Sequence, residues 1–215
     1  MTPTTPQKPK ITKSLRKSIA PSRMTLSAFL NRTDEDFFGE WISGKVIRLA
    51  ASEKHQERSG YLYSLLRIFV EEHRLGKVYS APFPIRLSSS IAREPDLLFV
   101  STERLNNLHT NYLDGAPDIA VEFISPESRT RDRRDKFYEY AVAGVREYWI
   151  VDMERKRAEF YLLDSEGLFN PMPLKANSRF ESEVLSGFWL EVEWLWNDTP
   201  PRITEVLALW GAKSA

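Results

Sequence analysis

The stretch Gly115-Ala116-Pro117-Asp118-Ile119-Ala120-Val121-Glu122-Phe123-Ile124-Ser125-Pro126 decides how this chain folds. Ile119, Val121 and Phe123 alternate with Ala120, Glu122 and Ile124, so a strand here turns apolar side chains to both of its faces. Such a strand is buried on both sides, as the central strands of a sheet packed between layers are. Glu122 is the exception. A carboxylate pointing inward from a buried strand is costly unless something cationic neutralises it.

Working outward, Glu94 to Val100 reads as a second buried strand, with Asp96 opening its apolar half Leu97-Leu98-Phe99-Val100. Downstream, Ser125-Pro126-Glu127-Ser128 is turn chemistry, with Ser128 or Thr130 as the helix N-cap. The spacing predicts a helix from about Arg131 to Ala143 that buries Phe137, Tyr140 and Ala141 and ends at Gly144, a left-handed C-cap. Tyr148 to Val151 is a third buried strand. Lys136 borders the helix's apolar face on the side of Tyr140, from where it can reach back over the sheet. Asp96 and Glu122 with Lys136 are the minimum kit for holding a divalent cation beside a phosphodiester and activating a water. Two converging carboxylates repel unless a metal or a lysine stands between them. The residues alone also fit a plainer arrangement, with both acids at strand ends paired to Arg93 or Arg129 and Lys136 paired to Asp132 one turn earlier.

Residues 1 to 22 form an expected disordered tail in which every charged residue is basic, a bias that runs on to Arg32, just before Asp34. Residues 23 to 200 are expected to be the folded domain, and 201 to 215 a short helix and tail. After an acidic turn at Thr33-Asp34-Glu35-Asp36, Phe38 to Ile42 and Lys45 to Leu49 read as a hairpin turning through Ser43-Gly44. From His55 to His73, Leu62, Leu65, Leu66, Phe69 and Val70 carry the spacing of an amphipathic helix, with Gly76 as its stop. Lys77-Val78-Tyr79 and Pro84 to Leu87 are extended, kept to an edge or an irregular strand by Pro82 and Pro84. Strand character returns at Ala158 to Leu163, Ser178 to Glu183 and Leu190 to Leu195, and Ile203 to Trp210 is helical.

With 215 residues, 42% of them hydrophobic, the chain can bury one substantial core. It has no cysteine, which excludes disulfides, thiolate zinc sites and cysteine nucleophiles. No apolar run approaches the ~18 residues of a membrane span, and no secretory leader is legible, so a cytoplasmic protein is expected. Net charge is zero and gives no reason by itself to expect nucleic acid. His55, His73 and His109 are far apart, without the close pairing of a zinc helix, and surface or capping roles are expected for them. Helices alternating with strands predict an α/β or α+β domain with a mixed sheet.

Pro95-Asp96, the stretch Gly115 to Pro126, Asp132, Lys136, Tyr140 and Gly144-Val145-Arg146-Glu147-Tyr148-Trp149-Ile150-Val151-Asp152 together strongly resemble the Uma family of bacterial proteins. Glu40-Trp41-Ile42-Ser43-Gly44-Lys45 followed by His55 resembles its N-terminal hairpin and helix, and the match spans about Thr25 to Leu195. The resemblance implies the restriction-endonuclease-like fold of the PD-(D/E)XK nuclease superfamily: a mixed central sheet flanked by helices, with extra strands at both ends. It also implies Asp96 and Glu122 as ligands of Mg²⁺ (or Mn²⁺). In that superfamily a lysine stands two residues after the glutamate. Ile124 stands there in this chain, so the resemblance transfers the lysine's role to Lys136. Glu53 or Glu57 would add a further acid from the first long helix, and Tyr140 and Ser125 would line the pocket.

The function expected on that basis is a Mg²⁺-dependent endonuclease that hydrolyses DNA and is free of membranes; nucleases of this fold often cut both strands as homodimers, and the sequence leaves the oligomeric state open. A catalytically silent nuclease-fold protein that binds nucleic acid, or an interaction domain using Trp189, Trp194 and Trp196 on its surface, are the alternatives.

Overall fold

Glu122 lies on the fourth strand of a six-stranded sheet, with apolar layers on both faces. The computed structural model describes residues 22–32, 38–48, 52–126 and 128–211; the basic tail and the acidic turn at 33–36 lie outside them. In chain order the strands are β1 (Ser22–Arg23), β2 (Gly39–Ile42), β3 (Lys45–Arg48), β4 (Gly76–Ser80), β5 (Ile85–Arg86), β6 (Ile91–Arg93) and β7 (Leu97–Ser101). They continue with β8 (Leu113–Asp114), β9 (Ile119–Phe123), β10 (Glu147–Asp152), β11 (Arg157–Leu163), β12 (Phe169–Pro171), β13 (Arg179–Glu181) and β14 (Trp189–Glu191). The α-helices are α1 (Leu26–Leu30), α2 (Glu53–Glu72), α3 (Phe137–Ala143) and α4 (Ile203–Gly211).

The central sheet has the order β12-β11-β10-β9-β7-β4. It is mixed, because β9 and β10 run parallel while the other neighbours are antiparallel. Parallel neighbours need a crossover, and α3 with the turns before it supplies one. The alternation read from the sequence holds across three strands. Ile119, Val121, Phe123, Leu97, Phe99, Trp149 and Val151 pack on one side with α2. Ala120, Ile124, Leu98, Val100, Tyr148 and Ile150 pack on the other with Tyr140 of α3. Each fully buried side chain of this size contributes about 1.5–3 kcal/mol, and a one-residue slip of β9 would drive Glu122 into the α2-side layer while crowding Ile119, Val121 and Phe123 into the other.

A second sheet, β1-β3-β2-β6-β5-β8, holds the N-terminal hairpin. Its turn is as expected, with Ser43 and Gly44 both at positive φ (46° and 85°), the conformation a two-residue hairpin loop requires. The stretch Glu94 to Val100 is not one strand: β6 ends at Arg93 in the second sheet, β7 begins at Leu97 in the central one, and Glu94-Pro95-Asp96 passes between. This hand-over brings Asp96 to the seam of the two sheets, where proline's missing N–H costs no ladder bond.

Two further expectations are corrected. Helix α2 ends at Glu72 with His73 as its C-cap, and Arg74 follows in the left-handed region at φ 55°, so Gly76 is not its stop. Gly76 belongs to β4, where an added Cβ would lie 2.0 Å from the carbonyl oxygen of Val100. Trp189 and Trp194 are buried and Trp196 packs against the same core, so they offer no exposed interaction surface. Helix α4 forms where a short helix is expected and packs on the core, with Val206 fully buried and Trp210 donating to the carbonyl of Trp189 at 3.1 Å.

Candidate active site

The helix after β9 opens with an uncommon turn. Residues Arg131–Lys136 form a π-helical segment that runs directly into α3, and Gly144 closes α3 at φ 87°. Short π segments are rare and recur at functional sites. Neither Ser128 nor Thr130 caps this helix in the expected way: Thr130 makes no side-chain cap bond, and Ser128 instead bonds Ser125 within the turn. The consequence is that Asp132, Lys136 and Tyr140, spaced by four, all face the sheet and are buried.

Lys136 is 1% exposed. Its Nζ lies 2.8 Å from Glu122 Oε1, 2.7 Å from Glu40 Oε1 and 3.1 Å from Asp132 Oδ1. The hydroxyl of Tyr140 donates to the same Glu122 Oε1 at 2.7 Å, and among the described residues Oε2 receives no hydrogen bond. Asp96 comes in from the seam. Its Oδ2 accepts the backbone N–H of Phe123 at 2.6 Å, and its Oδ1 lies 2.9 Å from His55 Nε2. The two acids expected to meet are therefore one peptide unit apart, and the lysine expected to reach them touches one of them.

Charge in this cluster is unevenly matched. Burial disfavours the Lys136 ammonium, but Glu122, Glu40 and Asp132 outweigh it and hold the lysine protonated above its usual range. Burial likewise pushes the Glu40 carboxyl up, yet Lys136, Arg93 and Arg131 draw it below the ordinary value. Arg93 donates to Glu40 at 2.8 Å and also grips Glu139. Glu122 goes the other way. Burial raises it, Lys136 opposes, and repulsion from Asp132, Asp96 and Glu40 leaves it pushed up to about 8. Burial lowers His55, but its bond to Asp96 and the charges of Asp96 and Asp132 leave it raised. Burial also pushes Glu94 up to about 7, against the Gly39 N–H at 2.5 Å and Arg32 at 2.9 Å.

Among the described residues, no group of three His, Asp or Glu side chains is arranged to hold a metal ion. The donor chemistry nonetheless fits Mg²⁺, which keeps several waters and uses one or two carboxylates. Asp96 and Glu122 would be that pair, and a bound cation would offset what burial and then the charges of Asp132, Asp96 and Glu40 impose on the Glu122 carboxyl.

Glu53 and Glu57 do not enter the site. Both are exposed on α2, Glu57 lying 3.9 Å from Arg58. The residue that α2 does deliver is His55, against the expectation of a surface or capping role, because the face of α2 that turns Leu62 into the core also holds His55, two turns earlier, against Asp96. His73 and His109 stay local, stacked on Phe69 and Tyr112. Ser125 sits in the turn beyond β9, bonded to Ser128. Ile124 is buried in the α3-side layer, an environment that suits it and not an ammonium group. Arg93 and Arg129 do not pair with Asp96 or Glu122; Arg129 bonds Asp152 and Glu154. Glu40 is the acid the residue reading missed. Its signal was a carboxylate beside Trp41 in the middle of an otherwise apolar hairpin strand.

A family described as "Putative restriction endonuclease", Uma2, matches residues 26–193. A solved structure titled "Crystal structure of a putative nuclease belonging to DUF820 from Anabaena variabilis ATCC 29413" superposes with a TM-score of 0.66. It is 17% identical, and the alignment covers 80% of this chain and 97% of that one, so the two share a fold. No curated protein sequence matches the chain.

Proposed function

The chain belongs to the Uma2 family, and from that premise we propose that it is a Mg²⁺-dependent (or Mn²⁺-dependent) endonuclease that hydrolyses phosphodiester bonds in DNA. The observation that carries the reading is the convergence of Asp96, Glu122 and Lys136 at the seam of the two sheets. Asp96 and Glu122 would hold the cation. When bound, such an ion polarises a phosphate oxygen and lowers the pKa of a bound water.

The chain's own groups then have distinct tasks. Tyr140 and Lys136 both engage Oε1 of Glu122, which fixes the carboxylate and leaves Oε2 without a competing donor. The Phe123 N–H and His55 fix Asp96 in the same way. Lys136, kept protonated by three carboxylates, supplies a preorganised positive charge next to the pair; fixed charge of this kind favours a transition state in which negative charge builds on phosphate oxygens.

A second reading has an observation of its own. Lys136 is enclosed by three carboxylates and almost without solvent access, as a purely structural buried ion cluster would be. A catalytically silent nuclease-fold protein that binds nucleic acid would keep that cluster for stability. The test is supercoiled plasmid incubated with the full chain and Mg²⁺ or Mn²⁺. Nicking that disappears in Asp96→Asn and in Glu122→Gln, both still folded, supports the nuclease. DNA retention with no metal-dependent nicking supports the silent protein.

A further inference from the structure

Next to Asp96, α2 and the edge strand β4 part to leave a cleft of about 370 Å³, walled by Phe38, Gln56, Ser59, Tyr63, Ser80 and Pro82. A second hollow of about 270 Å³ opens farther along the same helix and strand, at Arg67, Glu71, Lys77 and Tyr79. The helix numbers rise from the first hollow to the second while the strand numbers fall from Ser80 to Lys77. The two hollows thus follow one another along the same helix and strand, the first of them lined by Asp96. From Gln56 to Glu71 the helix climbs roughly 22 Å at 1.5 Å per residue, the span of about six nucleotides at the 3.4 Å spacing of a stacked strand.

The lining combines one ring with cations. Tyr63 is partly exposed in the first hollow, whereas Tyr79, which borders the second, turns its ring to the other face of the sheet and stacks on Phe83 with ring centroids 4.2 Å apart. Arg67 stands 5.9 Å from the Tyr63 ring and donates to its hydroxyl at 2.8 Å. Glu71 takes a second bond from Arg67 at 2.7 Å and offsets part of its charge, whereas Lys77 is exposed with no salt bridge among the described residues. Gly60 leaves the floor open, since a Cβ there would meet nothing within 4 Å. Stacking surfaces interleaved with cations are how proteins hold single strands without reading sequence. A hollow of about 370 Å³ lies near the lower bound of small-ligand pockets, roughly 300–1,000 Å³, and suits one nucleotide, not a duplex.

Resting on the reading of Asp96 as part of a nuclease site, we propose that the two hollows act as one groove that carries an unpaired nucleic-acid strand to the cut. One nucleotide occupies the cleft beside Asp96, its base against Tyr63 and within reach of the Gln56 amide. The strand then continues along α2, with Arg67 and Lys77 near its phosphates. The preferred substrate is accordingly a single strand, a flap or a junction with an unpaired segment at the scissile bond.

The experiment measures binding of fluorescein-labelled twelve-nucleotide single-stranded DNA, the same strand as RNA, and the blunt duplex, by anisotropy with Ca²⁺ in place of Mg²⁺. Single-stranded DNA is expected to bind at least tenfold tighter than duplex. Tyr63→Ala should weaken it about tenfold, in keeping with the ~1–3 kcal/mol of one base–aromatic stack, while Tyr63→Phe retains it. Lys77→Ala should lower the slope of log affinity against log salt by roughly one phosphate contact. RNA bound as tightly as DNA supports the groove and assigns no role to the sugar. Duplex bound as tightly as single strand, or Tyr63→Ala without effect in a variant that melts normally, overturns the proposal. The two readings fail separately. Plasmid nicking that needs Glu122, with no preference for unpaired strands, sinks the groove alone; single-strand binding that needs Tyr63, with no cleavage under any metal, sinks the nuclease alone.

Discussion

Asp96 Oδ2 accepts the backbone N–H of Phe123 at 2.6 Å, which seats the Asp96 carboxylate one peptide from Glu122. The bond joins the segment between the sheets to the middle of the central one. Asp96 is therefore positioned by backbone and not by a long flexible side chain, and the cluster around Lys136 inherits that rigidity.

Removing the cation from this cluster leaves three carboxylates facing one another. Lys136→Met should destabilise the fold by about 3–5 kcal/mol, the range for breaking a buried ion pair on one side only. Adding Glu122→Gln to the same chain should restore part of that loss. Urea denaturation of the single and double variants checks both statements, and a single variant as stable as the parent would show the lysine to be dispensable.

Metal affinity should depend on pH with a defined sign. Glu122 binds a cation only when ionised, and its carboxyl is pushed up to about 8, so protons compete with metal below that pH. Mn²⁺ affinity measured by calorimetry should tighten as pH rises from 6 and level off beyond about 8. In Glu122→Gln that segment should flatten to the part that His55 contributes through Asp96.

His55 gives a stability signal of opposite direction. Its folded-state pKa is raised by Asp96 and Asp132, so the native state holds the proton more tightly than the unfolded chain does. The resulting stabilisation is complete below the unfolded value of about 6.5 and is lost as pH rises through the folded value. Denaturation midpoints between pH 6 and 9 should decline more steeply in the parent than in His55→Gln.

Two glycines should respond in opposite ways to alanine. At Gly76 a Cβ would lie 2.0 Å from the Val100 oxygen, on a residue with φ 151°, so Gly76→Ala should cost well over about 1 kcal/mol. Gly60 is interior to α2 with open space around it, and Gly60→Ala should gain roughly 0.5–1 kcal/mol. Thermal melting of the two variants tests the pair.

Much of this molecule is legible in the sequence alone. The three central strands announce themselves by continuous apolar runs, because burial on both faces leaves little choice of side chain, and Glu122 stands out for breaking that rule. The hairpin turn at Ser43-Gly44 and the left-handed close of α3 at Gly144 are local conformational demands, which local sequence can state. Gly76 shows the limit. Its glycine looked like a helix stop, yet the constraint comes from Val100 on a neighbouring strand, and no window around residue 76 contains that oxygen.

The amino-acid sequence by itself determined which side chains must be buried, and therefore that an acid on β9 and a lysine on the following helix required partners. Only the tertiary structure decided who the partners are: Glu40 from a hairpin in the other sheet, His55 from the start of α2, and Asp96 at the seam between sheets. The physical reason is that burial is a property each residue carries in its own chemistry, whereas charge pairing depends on distance in space. That distance is set by two sheets meeting, and no stretch of the linear chain encodes it alone.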